Sequence, residues 1–234
     1  MKIQVILVGG GGHARVVLET LSHEGIEVMG FVDRQRPDEG VLDGLAYLGD
    51  EDELESFVDQ PEIRLINCVG SVGDARAHTR VFDDLKARGH LFHTLVHPRA
   101  IVASGVPVGE GSQVMAGAII QPGSTIGANV LINTGAQVDH DCSVGDHTHV
   151  APGAILSGGG SLGARAHVGT GAAVLQLRTI GDEAIVGAGA VVLEETSAGH
   201  AGWGPVIGVA LVGAVIVAGL AVVDHRRTRT QASA

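Results

Sequence analysis

Between residues 132 and 150 the chain reads Ile-Asn-Thr-Gly-Ala-Gln-Val-Asp-His-Asp-Cys-Ser-Val-Gly-Asp-His-Thr-His-Val, which gathers His140, His147 and His149 with Asp139, Asp141 and Asp146. An imidazole titrates near neutrality. A carboxylate on one of its nitrogens sets the tautomer and raises the basicity of the other. His140, flanked by Asp139 and Asp141, is therefore the candidate general base, with Asp141 as its partner. Two other readings stand beside this one. The same residues suit a solvated outer surface. A zinc site would use His149 and His167, which are eighteen residues apart. It needs three or four converging ligands, and no third shares that spacing, so no metal is expected.

A second constellation opens the chain. Gly9-Gly10-Gly11-Gly12-His13-Ala14 follows an apolar run over residues 3–8, and the acidic Asp33 comes about twenty residues later. A glycine turn between a strand and a helix cradles phosphates on backbone N–H groups. Alone, the pattern suggests a dinucleotide. With only about three strands before residue 95, the domain offers half of a dinucleotide site. A tight turn holding no ligand is the plainer alternative.

These residues need elements to position them. Residues 2–8, 27–32 and 64–69 read as strands, and residues 12–23 and 74–88 have helical spacing. Alternation of strand and helix predicts a Rossmann-like βαβαβ domain with a parallel sheet over residues 1–95. From Val96 the period becomes six. Val96, Val102, Val108, Val114, Ile120, Ile126, Ile132, Val138, Val144, Val150, Leu156, Leu162, Val168, Val174, Ile180, Val186 and Val192 are all aliphatic. The residue four places after each is usually small, as at Ala100, Ser112, Ala118, Cys142 and Ala154. Such a period fits neither a helix nor an ordinary strand. It predicts a parallel β-helix over residues 96–196, three hexads to a triangular coil, with polar outer faces.

Composition narrows the function classes. Fifteen Lys and Arg against 26 Asp and Glu give a formal charge of −11, with no basic stripe, which excludes a nucleic-acid-binding face. Only Cys68 and Cys142 occur, so there is no disulfide framework and no cysteine metal site. Residues 3–8 are too short an apolar core for a secretory signal, and a cytoplasmic location is expected.

The motifs Asn133-Thr134-Gly135-Ala136 and Val138-Asp139-His140-Asp141-Cys142, then His149, resemble the bacterial hexapeptide-repeat sugar acetyltransferases. So do the Gly9–Ala14 loop, the end of the second strand at Asp33 and the Val69-Gly70 turn. That family includes UDP-4-amino-sugar and GDP-perosamine N-acetyltransferases and sialic-acid O-acetyltransferases. The resemblance covers about residues 3–192. It implies a left-handed β-helix, acetyl-CoA as cosubstrate and a homotrimer. It also implies that His140 takes a proton from the sugar while Asp141 increases its basicity. His149, Thr170 and Ala188 would lie at the acetyl-CoA site. Gly11, Gly12, His13, Asp33, Arg34 and Gly70 would hold the nucleotide of a nucleotide-sugar, and Asn133 would contact the sugar. N-acetylation of a nucleotide-linked 4-amino sugar for surface glycans is the expected activity. O-acetylation of a sialic-acid-type sugar and a non-catalytic nucleotide-sugar sensor are the alternatives. A γ-class carbonic anhydrase, also a β-helix, would need a convergent three-histidine zinc site.

The end of the chain departs from that family. After Val192 the usual Gly-x-Pro-Ala segment is missing, and residues 197–234 form a divergent tail. Residues 205–223 are 19 uncharged positions followed by Asp224, His225, Arg226 and Arg227. Their length is near that of a membrane span, but basic residues after the run would place the catalytic domain outside. A packed element and an altered reading frame are the competing readings.

Overall fold

The structure is a computed structural model that describes residues 3–36, 42, 44–71, 75–196, 198–199 and 201–202. The apolar run 205–223 lies outside these residues. No helix among the described residues is long and apolar enough to cross a membrane.

The N-terminal domain runs β1 (Gln4–Val8), α1 (Gly12–Glu24), β2 (Glu27–Val32), β3 (Tyr47–Gly49), a 3-10 helix (Glu51–Phe57), β4 (Ile63–Asn67) and α2 (Arg76–Ala87). Its sheet is parallel in the order β3-β2-β1-β4. Alternation along β1 explains why both faces are covered. Val5 and Leu7 pack with Ala14, Val17 and Leu21 of α1, while Ile6 and Val8 pack with Leu54, Val81, Phe82 and Leu85. The strand β3 goes beyond the three expected. Its Tyr-Leu-Gly is too short to show a period, and its pairing with Phe31 and Val32 secures it instead.

From Leu95–Val96 the chain coils as a left-handed parallel β-helix with three faces. Face 1 stacks the strands that begin at Leu95, Gln113, Leu131, His149, His167 and Ile185, and Ala201–Gly202 extends it. Face 2 stacks those beginning at Ile101, Ile119, Gln137, Ile155, Ala173 and Val191. Face 3 stacks those beginning at Thr125, Ser143, Ser161 and Thr179. The repeating aliphatic residues fill the prism, each buried Val, Ile or Leu contributing roughly 1.5–3 kcal/mol. Small residues fit the corners, where hydroxyls find partners on the next coil: Ser124 Oγ donates to the Asp139 carbonyl at 2.6 Å. The corners also account for much of the glycine. Every sixth residue from 105 to 189 has a φ between 51° and 82°, and nine of these fifteen positions are glycine.

The three faces differ, which corrects the expectation of a prism that is polar outside. Face 1 is covered by the N-terminal domain, so Leu95, Gln113, Leu131, His149 and His167 are buried. Face 3 is polar, showing Thr125, Ser143, Ser161 and Thr179. Face 2 turns Ile101 (64% exposed), Ile119, Ile155, Ala173 and Val191 outward with only Gln137 between them. An apolar column of this kind is rarely left to solvent.

Candidate active site

His140 and Asp141 occupy the corner between faces 2 and 3. Asp141 has φ 58°, a left-handed conformation that costs a non-glycine residue about 1 kcal/mol and folds its side chain back along the corner. Its Oδ2 lies 2.8 Å from His140 Nδ1, while Asp139 Oδ1 accepts the His140 backbone N–H at 2.8 Å. The hydrogen bond from Asp141, then the charge of Asp139, raise the imidazole above its ordinary pKa. With Nδ1 engaged, Nε2 is the basic nitrogen and faces solvent.

Two glycines clear this space. A Cβ on Gly158, one coil after His140, would stand 2.6 Å from Nε2. A Cβ on Gly123, one coil before Asp141, would meet its carboxylate, and Gly123 also has φ 78°. Neither glycine was singled out from the sequence, although the eighteen-residue coil spacing from His140 and Asp141 points to both. Cys142 is turned inward, its Sγ 3.3 Å from the Ser157 carbonyl and its pKa raised by burial, so it is no nucleophile.

The nucleotide candidates gather elsewhere. A cavity of about 310 Å³ opens at the C-terminal ends of β1, β2 and β4, lined by Gly9, Gly11, Asp33, Arg34, Glu51, Gly70 and Arg80 among others. The chain leaves β1 for β2 on one side and reaches β4 on the other, so the cavity sits at the switch point of the sheet. Gly11 precedes α1, whose first turn holds no acidic residue. Asp33 Oδ2 is taken by the Gly10 N–H at 2.7 Å, fixing the glycine loop. Arg80 on α2 joins the lining without having been foreseen. Gly12 begins α1 beside the cavity. His13 does not line it: its Nε2 turns to Gln113 Oε1 of the β-helix at 2.8 Å, and burial lowers its pKa.

The acetyl-CoA candidates form a third group. Thr170 and Ala188 are exposed at the corner between faces 1 and 2, one coil apart, and Asn133 stands at the same corner lower down. His149 is buried on face 1, 3% exposed, between Ser71 Oγ on Nδ1 and Asn133 Nδ2 on Nε2, each at 3.1 Å. Burial, then the neighbouring His167, push its pKa down to about 3. The two rings meet edge to face at 4.9 Å. Among the described residues no group of three or more His, Cys, Asp or Glu side chains converges as a metal site.

These groups do not meet within one chain. Among the described residues, hydrogen bonds and ion pairs between the domains reach face 1 or its neighbouring corners, at Gly109, Glu110, Ser112, Gln113, Asn129, His147 and His149. The corner between faces 2 and 3, where His140 stands, is the vertex of the triangle opposite face 1. The cavity of the nucleotide candidates, Asn133 and His149 therefore lie across the prism from His140.

Comparison with known proteins bears on what this arrangement does. The family profile of the PglD N-terminal domain matches residues 4–85, and that of the bacterial transferase hexapeptide, six repeats, matches residues 123–158. No curated protein matches. Among solved structures, a histidine-to-asparagine variant of perosamine N-acetyltransferase from Caulobacter crescentus, in complex with CoA and GDP-perosamine, is 38% identical. It superposes with a TM-score of 0.77 over 84% of this chain and 91% of its own. The acetyltransferase domain of PglB from Neisseria gonorrhoeae FA1090, in complex with acetyl coenzyme A, is 32% identical, with a TM-score of 0.77 over 84% of this chain and 94% of its own. WeeI from Acinetobacter baumannii AYE, 23% identical, shares the fold. Identity of this extent, carried over both domains and joined to a histidine–aspartate pair on a hexad corner, shows that the chain belongs to the hexapeptide-repeat sugar acetyltransferases with a PglD-type N-terminal domain.

Proposed function

We propose that this acyltransferase moves the acetyl group of acetyl-CoA to the amino group of a nucleotide-linked 4-amino sugar, in the cytoplasm, as a step in surface-glycan synthesis. The observation that carries the reading is the His140–Asp141 pair, a solvent-facing imidazole with its basicity raised by a carboxylate at 2.8 Å. A sugar amine attacks the thioester carbonyl only as it loses a proton, and His140 Nε2 is the acceptor. The C–N bond forms, the C–S bond breaks, and the imidazolium returns the proton to the departing thiolate. Asp141 holds the Nδ1–H throughout, so a neutral ring always offers its lone pair on Nε2.

In this reading the nucleotide lies in the cavity of Gly11, Asp33, Arg34 and Gly70, with Gly12 at its edge. Asn133 faces the sugar, and acetyl-CoA lies along the corner of Thr170 and Ala188, with His149 behind it. The apolar face 2 separates that corner from His140 and supports association through this face. In a cyclic homotrimer the His140 edge of face 2 on one copy meets the cavity side of the next, and each site is shared. The test is transfer of radiolabelled acetyl groups from acetyl-CoA to a panel of UDP- and GDP-linked 4-amino sugars. Transfer to the amine, abolished by His140→Ala, is the expected result. Transfer to a hydroxyl group, or to no nucleotide-sugar, contradicts the reading.

A further inference from the structure

The geometry points to Ser71 as a positioning residue that ties the nucleotide cavity to the edge carrying Asn133, Thr170 and Ala188 by anchoring the Nδ1–H of His149 in the tautomer that Asn133 sets. Its effect on turnover rests on the acetyl-transfer reading above, whereas the tautomer itself does not.

Asn133 Oδ1 accepts the Thr134 backbone N–H at 2.7 Å, which fixes the orientation of the carboxamide. Its Nδ2 then faces His149 Nε2 at 3.1 Å. An amide nitrogen can only donate, so Nε2 carries the lone pair. Burial keeps the ring neutral, and its one proton must therefore be on Nδ1, where it donates to Ser71 Oγ at 3.1 Å. Ser71 is itself buried and directly follows Gly70 of the cavity wall. A continuous chain thus runs from the loop after β4, through a β-helix strand, to the corner one coil below. The other Nδ2–H of Asn133 is left for the corner to present. The edge therefore offers a donor, matched to an acceptor oxygen of a hydroxyl or carbonyl. A displaced Ser71 would move the pocket loop and this donor together. His140, on the opposite vertex, would be unaffected.

The experiment uses the full chain with 15N-labelled histidine, the His149 signals being identified by their loss in His149→Gln. The wild type should show His149 protonated on Nδ1. Ser71→Ala should leave the proton on Nδ1, where the Asn133 donor keeps it, but shift the Nδ1 signal by removing its hydroxyl acceptor, and Ser71→Thr should restore the signal. In turnover assays Ser71→Ala should raise the KM for nucleotide-sugar and for acetyl-CoA alike, each about five- to tenfold, the loss expected of one buried hydrogen bond. The pH at which His140 titrates should not move. Ser71→Cys, which keeps the volume while weakening the acceptor, serves if the alanine variant does not fold. A wild-type His149 protonated on Nε2 would overturn the proposal. So would a Ser71→Ala protein with an unchanged Nδ1 signal, or one in which only one of the two KM values rises. The nitrogen signals decide the tautomer whatever reaction the protein performs.

Discussion

At the scale of single residues, the candidate site was most legible where chemistry is local in sequence. His140 could be picked out because carboxylates flank it on both sides, and the structure puts one of them on its Nδ1. His140→Ala should lower kcat by ~10²–10⁴ in a protein that still folds, the usual share of a general base. Near-normal turnover in a folded variant would end that role. Asp141→Asn should cost less. It removes the first cause of the raised imidazole pKa, so the acidic limb of the pH–rate profile should move to lower pH. A limb that stays in place would assign the titration to another group. Gly158→Ala is sharper still. The new methyl group would crowd His140 Nε2, and the half-exposed ring can swing away at little cost to the fold. Turnover should therefore fall while Tm stays within a degree or two of the wild type, and unimpaired turnover would contradict the placement of Nε2.

At the scale of elements, the period of six was legible from Val96 to Val192, because each hexad repeats one geometric demand: an aliphatic residue inside and a small one at the corner. What the period could not reveal is which face another domain covers. His149 and His167 look like outward polar residues in the sequence, yet both are buried on face 1, where the N-terminal domain reaches His149 through Ser71. Ser71, Gln113 and Asn67 were missed for the same reason, since their partners lie 46 to 100 residues away. This seam has a thermodynamic consequence. His13, His78, His147, His149 and His167 all have lowered pKa values, burial being the first cause in each. The unfolded chain binds protons at these histidines near pH 6.5, and the folded chain does not. Their contribution to stability is therefore complete above about pH 6.5 and is lost as the pH falls below it. Tm should drop steadily between roughly pH 6.5 and 5, and a flat Tm over that interval would show that the seam is not buried as described.

At the scale of the whole molecule, the fold was readable but the placement of the candidate residues around the prism was not. A sequence sets His140, Asn133 and His149 within seventeen residues of one another, yet a prism sends a short run around all three of its sides. Half a coil separates His140 from His149 in the chain, and the width of the prism separates them in space. The described strands end at Ala201–Gly202, which pairs with Ile185–Val186. A chain cut after Gly202 should therefore still assemble and remain soluble without detergent. If the full-length protein alone pelleted with membranes, residues 205–223 would be an anchor.

The central claim is that one copy supplies the base and another the nucleotide cavity. It can be tested with two inactive variants. His140→Ala removes the base. Gly11→Trp puts an indole on the cavity wall, at a position where nothing lies within 4 Å of an added Cβ. Each variant alone should be inactive. In mixed trimers assembled by co-expression at equal levels, the probability that a shared site draws an intact base and an intact cavity is one half times one half. About a quarter of the wild-type activity should return. Recovery of none, with mixed trimers confirmed by mass, would mean that base and cavity act within a single chain, and the shared site would be refuted.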